Sequence, residues 1–230
     1  MPDILLIETA TSLCSAALIQ GEEITAYRES AEPRAHAAMT AVFIDQILKE
    51  KGLKVSDCDA VCVSSGPGSY TGLRVGSSTA KGLCFGAGIP LLSAGTLDIL
   101  VWKAIGEGLL PDGCKYIVPM IDARRMEVYS AVYSISGQRL TEVEPAIIDS
   151  GSFSKELSEG PVLFIGDGAG KCAGTLVCDN AHFVQCNPDA KSMLVPALNA
   201  WKEKRFENTA YFEPFYLKQF VATVSKKNLF

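Results

Sequence analysis

The chain has 230 residues, of which 48% are hydrophobic and 20% charged, with a net charge of -5. That is the composition of a globular protein long enough for one large or two small domains. It argues against a protein that grips nucleic acid alone, which carries a basic patch and a high pI; no Lys/Arg run is longer than a pair such as Lys226-Lys227.

Residues 4–7 form a continuous apolar run that predicts a central strand. The preceding residues lack the basic region of a signal peptide, and no stretch has the ~18 apolar residues of a membrane helix. Glu8-Thr9-Ala10-Thr11 is a polar turn. Residues 14–20 and 23–29 predict two further strands joined at Gly21. Pro33 opens a helix in the position proline tolerates. Its apolar face carries Met39, Val42, Phe43 and Ile47 at helical spacing, and Gly52 stops it. Residues 60–64 are a β-branched strand.

Gly66-Pro67-Gly68-Ser69-Tyr70-Thr71-Gly72-Leu73-Arg74-Val75-Gly76 follows, opening a helix that runs to about Phe85. Each glycine inside that helix costs about 1 kcal/mol relative to alanine, so something approaches its backbone closely. Gly72, Gly76, Thr79, Leu83 and Gly86 share one side, and Arg74, Ser78, Lys81 and Phe85 lie towards the other. The approaching group is a phosphate or another helix. A P-loop requires Lys and a hydroxyl after the last glycine, and Leu73-Arg74 stand there instead. A dinucleotide loop has G-x-G-x-x-G and an acid about 20 residues on; neither is present. Close packing is the better reading.

Residues 96–105 predict a helix, and the linker at 106–113 predicts a boundary between lobes 1–106 and 107–230, with packing of the C-terminal segment back on the first lobe left open. The pattern then restarts with strands at 116–121, 127–134 and 139–144. Glu8 and Asp122 each close a first strand 114 residues apart, and Gly21 and Gly137 stand 116 apart. This predicts an α/β fold of two duplicated β-meander-plus-helices lobes facing each other. The second lobe continues with a helix at 152–157, a strand at 161–165, a turn Gly166-Asp167-Gly168-Ala169-Gly170 opening a helix, a strand at 183–185 and a helix over 193–201. Pro196 is a candidate kink in that last helix. The aromatic stretch 211–217 anchors the C-terminal segment, and mobility is expected for the last ten residues.

Glu8, Asp122 and residues 166–170 could line a metal-and-phosphate cleft. Without a glycine after Glu8 to free backbone amides, turn capping is the simpler role for both acids. His36 is followed four residues on by Thr40, so no helical H-x-x-x-H metal pair forms. The eight cysteines form no C-x-x-C pair and predict a reduced, cytoplasmic protein without disulfides. No G-x-S-x-G nucleophile motif occurs.

These residues together resemble the TsaB (YeaZ) family. The resemblance rests on Ile7-Glu8-Thr9-Ala10-Thr11, on Pro33-Arg34-Ala35-His36 and above all on the 66–76 stretch with Ala80-Lys81-Gly82-Leu83. Ile121-Asp122-Ala123-Arg124, Gly166-Asp167-Gly168 and Pro214-Phe215-Tyr216-Leu217 follow in order. Glu8 stands where many relatives have Asp, and Tyr70 where many have Phe. The resemblance implies a two-lobed actin/hexokinase/Hsp70-like fold. It implies a non-catalytic subunit of the tRNA threonylcarbamoyladenosine machinery, with no catalytic, cofactor or metal residues of its own. It further implies pairing through first-lobe helices with a TsaD-like catalytic paralogue, and with a second copy when that is absent. A TsaE-like ATPase joins, and tRNA is met only through the complex. The expected interface is His36, Met39, Phe43, Gly72, Gly76, Thr79 and Leu83. The competing expectations are a metal- or nucleotide-dependent enzyme of the same fold, peptidase-like or kinase-like, and a stand-alone RNA-binding module.

Overall fold

Eleven strands and six α-helices are arranged around two sheets in the computed structural model, which describes residues 1–216. The expectations for Leu217 and for residues 220–230 lie outside the described residues. The first half holds β1 (Asp3–Glu8), β2 (Cys14–Gln20), β3 (Glu23–Ser30), α1 (Ala35–Lys51), β4 (Ala60–Ser64), α2 (Tyr70–Ala87), β5 (Leu91–Ala94) and α3 (Thr96–Gly106). The second holds β6 (Tyr116–Asp122), β7 (Glu127–Ser130), β8 (Tyr133–Ser134), β9 (Glu144–Ile147), α4 (Ser154–Glu159), β10 (Val162–Ile165), α5 (Ala169–Cys172), β11 (Ala181–Val184) and α6 (Leu194–Lys202).

The first sheet runs β3-β2-β1-β4-β5, and the second runs β9-β7-β6-β10-β11. The two orders are the same. In each, the first strand pairs antiparallel with the second and parallel with the fourth: Ile7 faces Ala16 and Val63, and Ile117 faces Tyr133 on β8 and Leu163. The repeat read from the acids and glycines is thus a repeat of topology.

Three elements depart from expectation. Pro33 lies outside α1, which begins at Ala35 after Arg34 in a left-handed conformation. The single strand expected over 127–134 is two, because the Val132 amide donates to the Thr141 hydroxyl at 2.9 Å instead of to a strand carbonyl. The returning chain therefore pairs only briefly with β8, at Arg139, before β9 forms at 144–147 against β7. Pro196 sits in the first turn of α6, where its missing N–H costs nothing, and makes no kink in the helix interior.

Both faces of the central strands of each sheet are apolar and covered, as their unbroken hydrophobic runs require. Leu5, Ile7, Val61 and Val63 pack beneath α1 and α2, with Phe43, Ile44, Ile47 and Cys84. The opposite face, with Ile4, Leu6, Ala60 and Cys62, packs against Ala197, Leu198 and Ala200 of α6. In the second sheet Ile117, Ile121, Leu163 and Ile165 lie against Leu97, Leu100, Val101 and Ala104 of α3. Val118, Met120, Val162 and Phe164 are covered from α4 and α5 by Leu157, Ala169 and Cys172. Each such buried side chain contributes about 1.5–3 kcal/mol. The boundary expected near Gly106 separates the sheets but not their covers: α3 belongs with the second sheet and α6 with the first. Residues after α6 also stay on the first sheet, where Glu207 bridges Leu91.

Candidate functional site

The turn after β1 lies where α1 and α2 begin. Glu8 and Thr9 are fully buried. The Ala10 amide donates to Glu8 Oε1 at 2.5 Å, and the Thr9 amide to Ser64 Oγ at 3.4 Å. The carboxyl of Glu8 therefore occupies the amide that a bound phosphate would need. Burial pushes that carboxyl up to about 8, against the pull of the Ala10 amide and Ser64, with the Asp189 charge adding to the rise. It is protonated at neutral pH.

The glycines of α2 are explained by this same turn. A Cβ at Gly72 would strike the Thr9 carbonyl oxygen, and one at Gly76 would strike Thr9 Oγ1. The Ser69 amide also donates to the Ala10 carbonyl at 2.6 Å. The backbone that approaches the glycine side of the helix is the chain's own. Gly82 and Gly86, about two and three turns beyond Gly76, have open space beside them.

The second-lobe counterpart is filled in the same manner. The Gly168 amide donates to the Met120 carbonyl at 3.0 Å, and the Gly170 amide to Gln185 Oε1 at 2.6 Å. Lys171 Nζ donates to Asp122 Oδ1 at 2.5 Å and to the Glu127 carbonyl at 2.7 Å. Asp122 also accepts from the Arg124 amide at 2.7 Å. Burial alone would raise its pKa, but Lys171 and the Arg124 amide bring it below the usual carboxylate range. Asp122 is thus a turn cap held by a lysine, and Asp167, pushed by burial up to about 6, accepts from the Asp122 amide. Gln185 was not singled out in the sequence, because a lone Gln after a short strand carries no pattern.

His36 is half-buried and donates from Nε2 to the Thr11 carbonyl at 2.8 Å, which ties α1 to the β1 turn. Thr40, at the position of a second metal histidine, is buried and donates to the His36 carbonyl at 2.6 Å. Among the described residues, no group of three His, Cys, Asp or Glu side chains has metal-binding geometry. No helix among them is long and apolar enough to cross a membrane.

Of the other expected interface residues, Phe43, Gly72 and Gly76 are buried within the chain, and Met39, Thr79 and Leu83 are half-buried at the seam of α1 and α2. The outer surface of that helix pair is small and apolar. Ala37, Ala38, Ala41 and Val42 are exposed on α1, beside Gly82 and Gly86 on α2. Phe85 stands out from it with 86% of its surface in solvent. The signal for Phe85 was legible: it is the one large apolar residue on the side of α2 that carries Arg74, Ser78 and Lys81.

Two mixed sheets of identical strand order, each opening with an antiparallel meander and sharing a central helical layer, define a two-lobed α/β protein of the actin/hexokinase/Hsp70 class. A family model described as TsaD, tRNA N6-adenosine threonylcarbamoyltransferase, matches residues 27–168. The tRNA threonylcarbamoyladenosine biosynthesis protein TsaB of Escherichia coli K12 is 30% identical over 229 residues, 95% of this chain and 96% of that one. The protein of the same name from Bacillus subtilis 168 is 30% identical over 71% of this chain and 70% of its own. A solved structure of YeaZ from Pseudomonas aeruginosa superposes with a TM-score of 0.81 at 26% identity, covering 94% of this chain and 100% of that one. The chain belongs to the TsaB (YeaZ) family.

Proposed function

We propose that this chain is a non-catalytic subunit of the cytoplasmic machinery that makes threonylcarbamoyladenosine in tRNA, next to the anticodon. Its role is to pair with a TsaD-like catalytic paralogue and hold it in a competent state. A TsaE-like ATPase joins the pair, and the chain pairs with itself when the paralogue is absent. tRNA is contacted through the complex. The names borne by its near-full-length relatives support the pathway.

The observation that carries the pairing role is the exposed apolar surface of the helix pair: Ala37, Ala38, Ala41 and Val42 on α1, and Phe85 on the face of α2 turned away from α1. A soluble monomer rarely leaves such a patch uncovered. His36, Met39, Thr79 and Leu83 lie along the seam of the two helices and contribute to the partner contact from there. The turns after β1 and β10 support the non-catalytic role, because their amides are engaged by Glu8, Ser64, Met120 and Gln185. A nucleotide-dependent enzyme would require those bonds to break.

The test is depletion of the protein followed by mass analysis of tRNA nucleosides. Loss of threonylcarbamoyladenosine is expected, and an unchanged level refutes the pathway. Calorimetry of the purified chain with ATP and magnesium separates the enzyme reading: tight binding with turnover would replace the scaffold role.

A further inference from the structure

The Gly72 and Gly76 part of the sequence motif is accounted for by Thr9, but its opening, Gly66-Pro67, is not. These two residues form one wall of a cavity of about 360 Å³ between the lobes. The opposite wall comes from the second lobe, and Phe215 closes one side. Sites at such junctions are where small ligands bind in two-lobed proteins.

The cavity is built, not incidental. Tyr133 is 1% exposed, and its hydroxyl donates to Asp98 Oδ1 at 2.7 Å, where α3 packs on the second sheet. That bond leaves Asp98 Oδ2 over Gly95 with no hydrogen-bond partner among the described residues. Arg139 and Glu142 line the same space, and neither they nor Asp98 belong to an ion pair among the described residues. Leu97, Val143 and Phe215 supply an apolar side. Two carboxylates, one guanidinium and an apolar floor therefore face one half-open volume, with Arg139 and Glu142 at its exposed rim. A simple anion meets two negative charges there, and a purely apolar ligand leaves all three groups without an opposite charge, Asp98 and Arg139 being met only by the Tyr133 hydroxyl. A molecule with an ammonium group, a carboxylate and a short apolar side chain satisfies every one of them.

We infer that this inter-lobe cavity binds a free zwitterionic α-amino acid. Asp98 and Glu142 take the ammonium group, Arg139 takes the carboxylate, and Leu97, Val143 and Phe215 receive the side chain. Because the site draws on both lobes, occupancy fixes their relative position.

The test uses the purified full chain and the twenty common L-amino acids, screened by thermal unfolding at about 10 mM. At least one should raise the melting temperature by about 2–4 °C, as a ligand with Kd on the order of 1 mM does for a chain of this size. Calorimetry then compares the best ligand with its decarboxylated amine and its N-acetyl derivative, each of which should bind about tenfold more weakly or worse. Arg139→Ala should lose the preference for the zwitterion over the amine. Glu142→Gln, an exposed and isosteric change, should weaken binding without moving the unliganded melting temperature. No stabilisation by any amino acid overturns the inference. So does equal binding of zwitterion, amine and acetylated acid. These readouts need neither a partner nor tRNA, so they stand or fall apart from the pairing role.

Discussion

Lys103 of α3 donates to the carboxylate of Asp189, 86 residues later in the chain, and so joins the helix covering the second sheet to the turn that leads into α6. Both side chains are largely buried, at 13% and 3% exposed. Asp189 also accepts from the Ser192 amide at 2.9 Å and the Ser192 hydroxyl at 3.0 Å. Burial works to raise its pKa, and Lys103 and Ser192 overcome that and keep it ionised. Lys103→Met strands this charge, and the expected loss is about 3–5 kcal/mol in urea unfolding. Adding Asp189→Asn removes the charge while keeping an acceptor for Ser192, and should restore part of the loss. A double variant no more stable than the single would show that the pair contributes through packing alone.

Gly72→Ala and Gly76→Ala should each destabilise by roughly 2 kcal/mol or more, since the new methyl meets Thr9 and the turn cannot yield without losing the Ser69–Ala10 bond. Gly82→Ala faces open space and should stabilise by about 0.5–1 kcal/mol through helix propensity. The three proteins differ by one methyl on one helix, so their melting temperatures read the collision directly. Equal shifts would mean that Thr9 does not define the glycine side.

Glu8 ties stability to pH. Its carboxyl titrates near 8 when folded and near its ordinary 4.5 when unfolded. Between those values the unfolded chain binds fewer protons than the folded one, so this group's contribution is present in acid and lost as pH rises, by up to ~1.4 kcal/mol per pH unit. Glu8→Gln keeps the acceptor for Ala10 and cannot ionise. The stability of the natural chain relative to this variant should fall from pH 4.5 to pH 8, measured by urea unfolding at several pH values. A constant difference would place the carboxylate in contact with water.

Phe85→Asp should leave the melting temperature within about 0.5 kcal/mol of the natural chain, because the side chain touches solvent. If the α1–α2 surface is the pairing site, the same change should lower self-association and affinity for the paralogue by at least tenfold, seen in sedimentation and calorimetry. Unaltered affinity would move the contact elsewhere on the molecule.

The strands, the duplication and the α2 glycines were legible because they are local. Alternation, apolar runs and turn residues repeat along the chain, and Glu8 and Asp122 mark equivalent corners. What touches the glycines was not legible, since Thr9 and Gly72 are 63 residues apart and nothing in either segment names the other. Which sheet α3 and α6 cover was not legible for the same reason: both have apolar faces that would suit either sheet, and only the topology decides which. Phe43 reads as part of a helix face in the sequence, yet it is buried because α1 packs on β2 and α2 together.

The crossed covers have a consequence for synthesis. Strands β1, β4 and β5 are complete once residue 94 has been made, but apart from Ile99 of α3 the side chains that cover Ile4, Leu6, Ala60 and Cys62 come from Ala190, Met193 and α6. Ile99 of α3 arrives early, but during translation the rest of that cover waits for roughly 100 further residues, on the order of 5–20 s at typical elongation rates. A ribosome-bound first half is therefore a half-dressed sheet that needs shelter until its last helix emerges. The sheet that begins the molecule is among the last parts to be finished.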